Sequence, residues 1–346
     1  MNEQNTVFDQ EAQVAAPMMS AYLPMMKTAA MTAAAELGVF HRLSLGAASV
    51  AEAALDLDAS VHGMDGLLRC LAAFGLLDRG DDGRYHNSAF VEQHFSPTAR
   101  VDLTPGLLWN AEALRLMTGL TDAVRNGGPA ETMWAQMTRR AEMGASFSRY
   151  MEAFARYFSP DLLECVQPPP DARRLLDIGG SHGLHAASLC MRYPQLHAVV
   201  FDLAESLTQT PRIIEEHGLR DRITLRVGDA KTDDFGTAED GLGFDVVLLL
   251  SVLHNLSVTH AEDIVRRAAR ALAPGGLIAV HEHFHDDAHA RFTASFQLTL
   301  LVEVGTGLQD PEQVQRWLRE EGCALIRRHD LPELGKGSIL LARREV

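Results

Sequence analysis

The sequence predicts an α/β protein, a parallel sheet wrapped by helices and preceded by a smaller, mainly helical domain. Three observations predict it. "LLDIGGSHGLHAASL" (175–189) is an apolar strand ending in an acid, then a glycine turn, then an alanine- and leucine-rich helix. Beyond residue 166, apolar runs alternate with helical stretches, as in a parallel sheet covered on both faces. Residues 1–100 lack that alternation and read as helices plus a turn-rich hairpin.

The bulk properties agree. A chain of 346 residues fits two domains, and 47% apolar with 22% charged residues is a globular composition. The net charge of −15 opposes broad phosphate contact, so no nucleic-acid partner is expected. "MNEQNTVFDQ" lacks the basic and apolar regions of a signal peptide, and no apolar run is long enough for a membrane span. Cys70, Cys165, Cys190 and Cys323 are scattered without a CxxC pair. Reduced thiols and a cytoplasmic location are the expectation.

In chain order, "KTAAMTAAAELGVFHRL" (27–43), "SVAEAALDL" (49–57) and "SVHGMDGLLRCLAAFGLL" (60–77) carry helical spacing, and "DRGDDGRYHNS" (78–88) reads as a hairpin. Three helices and a hairpin suggest a winged helix. A DNA-binding regulator does not fit it: the would-be recognition helix has Asp65 and only Arg69, and the wing sets Asp78, Asp81 and Asp82 against Arg79 and Arg84. A dimerisation module fits better. Apolar "AAPMMSAYLPMM" (15–26) suits a helix packed on a partner chain or, equally, internal core. Residues 101–165 read as a helical connector broken at Gly127, Gly128 and Pro129. Its stripe of Phe147, Met151, Phe154 and Phe158 reads as core packing. The same helix offers Tyr150, Met151, Phe154 and Tyr157 as candidate pocket residues. "VQPPPDARR" (166–174) is a stiff linker into the third region, 166–346. There the strands are "RLLDI", "HAVVFDL" (197–203), "ITLRVGD" (223–229), "FDVVLLLSV" (244–252) and "GGLIAVHEHF" (275–284). "CALIRRHDL" (323–331) and "SILLARREV" (338–346) form an antiparallel pair at the sheet edge.

The glycine turn excludes two ligand classes. A dinucleotide fingerprint needs glycine where Ser181 and Leu184 stand, and a Walker loop needs a Gly-Lys-Ser/Thr that is missing. Gly179, Gly180 and Gly183 still permit close backbone approach. Asp177 before them would repel a pyrophosphate and suits a cation. S-adenosylmethionine has a positive amino group and sulfonium. Asp202 can accept its ribose hydroxyls and Asp229 its adenine amino group, each at the end of a successive strand.

On these residues the chain resembles the two-domain, class I small-molecule O-methyltransferases of plant phenolic and bacterial polyketide pathways. "ELGVFHRL", "LLRCLAAFGLL", "LLDIGGSHG", "RYPQLHAVVFDLAES", "RITLRVGDA", "SVLHNLSVTHAEDIVRRAARALAPGGLIAVHE" and "LREEGC" carry the resemblance, over about residues 20–346. It implies a Rossmann-like sheet, a winged-helix-like dimerisation domain, a homodimer, a small-molecule methyl acceptor and S-adenosylmethionine as co-substrate. Leu203, Ala230 and Ser251 join the acids and glycines as expected cofactor contacts.

The resemblance also implies that His254 is the general base. Imidazole suits that role because its unperturbed pKa lies near neutrality. The family's acidic neighbour is here Asn255. Glu282 matches one family carboxylate, while the second falls at Leu308, with Glu303 and Asp310 nearby only if a gap is allowed. His281, His283 and His285 alternate along a strand end; the expectation is a polar strand end and no metal. Two further activities stay open. A thioether acceptor such as 4-methylthio-2-hydroxybutyrate, on the way to dimethylsulfoniopropionate, needs no base. A protein of this fold could also bind S-adenosylmethionine without transferring methyl.

Overall fold

A computed structural model of the chain describes residues 19–236, 242–284, 289–331 and 335–346. It divides into two compact units, one ending at Leu114 and one running from Arg115 to Val346.

The N-terminal unit contains α1 (Met19–Leu37), α2 (Val39–Ser44), α3 (Val50–Asp56), α4 (Val61–Ala73), β1 (Leu77–Arg79), β2 (Tyr85–Asn87) and α5 (Ala89–His94). Residues 27–43, expected as one helix, are two. Gly38 takes φ 77°, a left-handed conformation that ends α1 and redirects the chain into α2. Ser49 and Glu52 form a reciprocal capping box at the start of α3. β1 and β2 pair antiparallel, and Ala48 bridges to Tyr85, which completes a winged-helix arrangement. Met64, Leu68 and Leu71 of α4 enter the core beside Phe40 and Tyr85. Arg69, the one arginine of α4, is paired with Asp65 at 2.9 Å. Along α1, Met19, Tyr22 and Met25 stay exposed. Residues 15–18 of the apolar segment lie outside the described residues.

The helix α6 (Thr104–Met117) crosses the boundary between the units. The C-terminal unit continues with α7 (Leu120–Asn126), α8 (Met133–Arg139) and α9 (Ala141–Cys165). The alternating part then runs β3 (Arg174–Ile178), α10 (Leu184–Arg192), β4 (His197–Asp202), α11 (Thr210–Glu216), β5 (Ile223–Val227), β6 (Phe244–Leu250), α12 (Val258–Arg270) and β7 (Leu272–Glu282). It closes with α13 (Ala290–Glu303), α14 (Pro311–Glu320), β8 (Cys323–Asp330) and β9 (Ser338–Arg344).

The seven strands lie in the order β5-β4-β3-β6-β7-β9-β8. The first five are parallel, and β9 and β8 add an antiparallel edge. Side chains alternate between two cores. Leu175, Val246 and Leu248 face one; Leu176, Val247 and Leu249 face the other. The chain leaves β3 toward β4 on one side and returns through β6 on the other. Such a switch opens a crevice at the carboxyl ends of β3 and β6. No described helix is long and apolar enough to cross a membrane.

Candidate active site

The crevice is built first by the turn after β3. Asp177 sits one residue before the strand end, 1% exposed, and its Oδ2 has no hydrogen-bond partner among the described residues. A Cβ on Gly180 would lie 2.7 Å from the Asp177 carboxyl carbon, so only glycine lets the turn fold over it. Burial raises the Asp177 carboxyl to about 7, and the charge of Asp202 adds to the rise. Ser181 follows at φ 44°, a conformation rare for serine. Its N–H donates to Asp202 Oδ2 at 2.9 Å, and the Leu203 N–H donates to Oδ1 at 2.7 Å. Burial also raises Asp202, against those two backbone donors. Gly183 precedes α10 without a side-chain cap, and His182 Nδ1 instead accepts the Leu184 N–H at 3.1 Å.

One expectation is corrected here. Asp229 does not end a strand: β5 stops at Val227, and Asp229 sits two residues on, in a turn. Its N–H donates to Asp233 and its carboxylate accepts from the Lys231 N–H, and those local bonds pull the chain out of the ladder. Ala230 is half-buried, and its carbonyl accepts from Arg267. The half-buried Ser251 follows β6 at φ 58°.

These features fit a cationic, hydroxyl-bearing ligand. A buried carboxylate with one oxygen unpartnered, held otherwise by the Ala186 backbone, favours a positive group or a proton beside it. Asp202 presents both oxygens at the carboxyl end of β4, and the glycine turn leaves the backbone bare.

The second half of the crevice lies where β6 and β7 end. Leu253–Asn255 is a short 3₁₀ turn. Glu282, the last residue of β7, clamps it from below. Its Oε1 accepts the Leu253 N–H at 2.6 Å, and its Oε2 lies 2.6 Å from His254 Nδ1. Burial alone would raise the Glu282 carboxyl, but the facing histidines, His254 first, hold it below the usual carboxylate range. An ionised Glu282 therefore keeps the proton on His254 Nδ1 and leaves Nε2 as an acceptor. Asn255 turns away, its amide directed at the Ser251 carbonyl at 3.5 Å, a weak contact.

Above the turn, Thr306 donates to the His254 carbonyl at 2.5 Å, and the Gln309 amide reaches the carbonyls of Leu253 and Leu256. Phe296 of α13 meets the His254 ring edge-on at 5.4 Å between centroids. Phe292 stacks on Phe296, and His283 contacts both. Glu303 lies seven residues beyond Phe296, on the same face of α13. It is 9% exposed, and burial raises its carboxyl to about 7 although His254 opposes the rise. Tyr150 of α9 faces it: burial, then Glu303, raises the phenol.

Sequence spacing placed the second carboxylate at Leu308, which is buried and has its N–H bonded to Gln297. Of the two acids nearby, Asp310 caps α14 and Glu303 faces His254. The helical phase linking Glu303 to Phe296 was visible in the sequence, but what α13 packs against was not.

The connector residues divide. Phe158 is buried in the sheet core, with Phe154 half-buried and stacked against it. Met151 is half-buried. Tyr157 carries the Lys336 ammonium over its ring at 4.3 Å. His281 and His283 lie with ring centroids 5.8 Å apart, while His285 is outside the described residues. Among the described residues, no three His, Cys, Asp or Glu side chains are arranged to hold a metal.

Residues 118–322 match the O-methyltransferase domain family, and residues 19–92 its dimerisation domain. The chain belongs to the O-methyltransferase family. Its sheet and N-terminal helices are the class I methyltransferase fold, and it is an S-adenosylmethionine-dependent methyltransferase of the small-molecule type. Relatives include 3-hydroxy-5-methyl-1-naphthoate 3-O-methyltransferase of Streptomyces sahachiroi, 28% identical over 87% of each chain. Aclacinomycin 10-hydroxylase RdmB of Streptomyces purpurascens is 29% identical over 86% of this chain and 81% of its own. Human N-acetylserotonin methyltransferase, solved with S-adenosylmethionine, superposes with TM-score 0.82 at 22% identity over the whole of both chains.

Proposed function

We propose that the protein O-methylates a hydroxylated aromatic small molecule with His254 as general base. The observation that carries this is the 2.6 Å contact between Glu282 and His254 Nδ1, inside a wall of Phe292, Phe296 and His283. That pair leaves Nε2 to take the proton of a phenol. Phe296, edge-on to the imidazole, suits a planar ring beside it. Several relatives carry names of aromatic or polyketide O-methyltransferases.

Asp177, Gly179, Gly180, Gly183, Asp202 and Leu203 would hold S-adenosylmethionine, with Ser251 beside the β3 turn and Ala230 and Asp229 around its far edge. When bound, it supplies an electrophilic methyl group. The chain's part is to orient the acceptor, accept its proton at His254 Nε2 and stabilise the resulting imidazolium. Glu282 does this from one side. Glu303 is the second carboxylate, in place of the position occupied by Leu308. Tyr150 closes the pocket from α9. Residues 1–100 serve as a dimerisation domain, with the exposed Met19, Tyr22 and Met25 on a partner-facing edge. Residues 101–165 are the connector that lends pocket residues, and 166–346 the catalytic domain.

The test is release of S-adenosylhomocysteine from S-adenosylmethionine across a panel of phenols, naphthols and 4-methylthio-2-hydroxybutyrate. Turnover on phenols or naphthols is expected. Turnover on the thioether alone would replace this reading by S-methylation. Cofactor binding without turnover on any acceptor would favour a chemistry of another kind, such as the hydroxylation for which one relative is named.

A further inference from the structure

His281 takes no part in the chemistry above, yet it is 1% exposed and both of its ring nitrogens are engaged. Nε2 lies 2.5 Å from the Lys336 carbonyl oxygen, and Nδ1 lies 2.9 Å from Ser251 Oγ. A carbonyl can only accept, so the proton is on Nε2. Nδ1 is then bare and can only accept. It must take the Ser251 hydroxyl proton. The backbone repeats the link, because the Ser251 N–H donates to the His281 carbonyl at 2.9 Å.

The relay is anchored at its far end. Lys336 is 5% exposed, paired with Asp161 at 2.8 Å, and its ammonium lies over the Tyr157 ring. Phe158 packs on the His281 ring at 4.4 Å. At its near end, Ser251 is held in a strained left-handed conformation. The next residue, Val252, lies against the glycine turn: a Cβ on Gly179 would meet it at 2.6 Å.

We propose that His281 is a positioning residue for methyl-donor binding: by accepting the Ser251 hydroxyl proton, it fixes Ser251 at the cofactor edge as a hydrogen-bond acceptor only. The ligand group facing Ser251 is then an N–H or O–H donor, and the α-ammonium of the methyl donor has that chemistry. Burial, and secondarily the charge of His254, lowers the His281 pKa despite the Lys336 carbonyl and Glu282, which keeps the imidazole neutral as the relay requires. This inference rests on the reading of the β3–β6 edge as the S-adenosylmethionine site.

S-adenosylhomocysteine retains the ammonium and is the probe. Calorimetry would compare the full-length protein with Ser251→Ala, His281→Phe, the double variant and Asp202→Ala. Each single change at the relay should weaken binding about tenfold, the worth of one hydrogen bond to a charged group. The double variant should lose no more than either alone, since both remove one device. Losses that multiply, or His281→Phe binding like the parent while Asp202→Ala weakens, would overturn the relay alone. If Asp202→Ala also binds unchanged, the cofactor site itself is misplaced. A rise in acceptor KM with unchanged S-adenosylhomocysteine affinity would assign Ser251 to the acceptor and overturn the proposal. Should His281→Phe fail to fold, nitrogen NMR of histidine-labelled parent protein decides. A bare Nδ1 and protonated Nε2 on His281 support the relay, and the reverse tautomer overturns it.

Discussion

The two halves of the crevice are built by different means. The half at β3 and β4 is a local device. One strand, one turn and one helix start supply Asp177, the glycines and Ser181, and Asp202 joins them from the neighbouring strand. The half at β6 and β7 is assembled from distant segments. His254 comes from a 3₁₀ turn, Glu282 from a strand end, Phe296 and Glu303 from α13, and Tyr150 from α9. The first half is shaped to hold a ligand. The second, on the proposed reading, handles a proton, and its carboxylates are driven apart in pKa, Glu282 downward and Glu303 upward.

The sharpest way to break this division is to remove the proposed base. His254→Ala should cost on the order of 10²–10⁴-fold in turnover on a phenol, while S-adenosylhomocysteine affinity stays within about threefold, below 0.7 kcal/mol. Rapid-quench turnover and calorimetry on one preparation check both. A drop in affinity matching the drop in rate would show that the two halves are not separate.

Next in size is the ligand half. Asp202→Ala deletes both oxygens offered at the end of β4. It should weaken donor binding by about 1.5–3 kcal/mol for a charge-assisted contact, with turnover at saturating donor little changed. Unaltered affinity by calorimetry would remove Asp202 from the site.

How much of each half was legible follows from how each is made. The β3 turn could be read because its residues are contiguous and its spacing excludes the dinucleotide and Walker alternatives. Asp229 was misread as a strand end because its side chain and Asp233 draw the chain into a turn, and apolar patterning cannot register that. His254 and Glu282 were found through family likeness, not periodicity. Glu303 was not, because counting along the chain led to Leu308 while the phase of α13 decides which acid faces the imidazole. The helix break at Gly38 is hidden in the spacing of 27–43, because apolar spacing resumes at once after the glycine. His281 read as part of a polar strand end. One of its two hydrogen bonds exists because the segment entering β9 brings Lys336 alongside β7, and the other because β6, which Ser251 follows, pairs with β7.

A smaller effect separates the two carboxylates of the proton half. Glu303, raised by burial to about 7, becomes charged as pH rises through that value. The titratable groups that act on it are His254 and Tyr150. Turnover at saturating substrates should rise as pH passes upward through 7, because an ionised Glu303 stabilises the imidazolium. Glu303→Gln should lower the plateau roughly tenfold, the scale of one charge-assisted contact, and should remove that step. A pH–kcat profile with the step intact would assign it to another group.

The last effect belongs to the ligand half and is read as stability, not as turnover. Asp177 is raised in the folded protein to about 7, against about 3.9 when unfolded. The folded state then binds the proton more tightly, so its stabilising contribution is complete below pH 4 or so and is lost as pH rises through about 7. Glu303 acts in the same direction, so the two must be separated by variants. Without ligand, the melting temperature should fall between pH 5 and 8. Asp177→Asn and Glu303→Gln should each flatten part of that fall. A ligand ammonium relieves the charge on Asp177 but not on Glu303. The stabilisation conferred by S-adenosylhomocysteine should therefore grow with pH in the parent and in Glu303→Gln, and stay level in Asp177→Asn. Thermal shifts at fixed ligand concentration across that range check this. Equal growth in Asp177→Asn would mean that the carboxylate buried under the glycine turn is not where the cation sits.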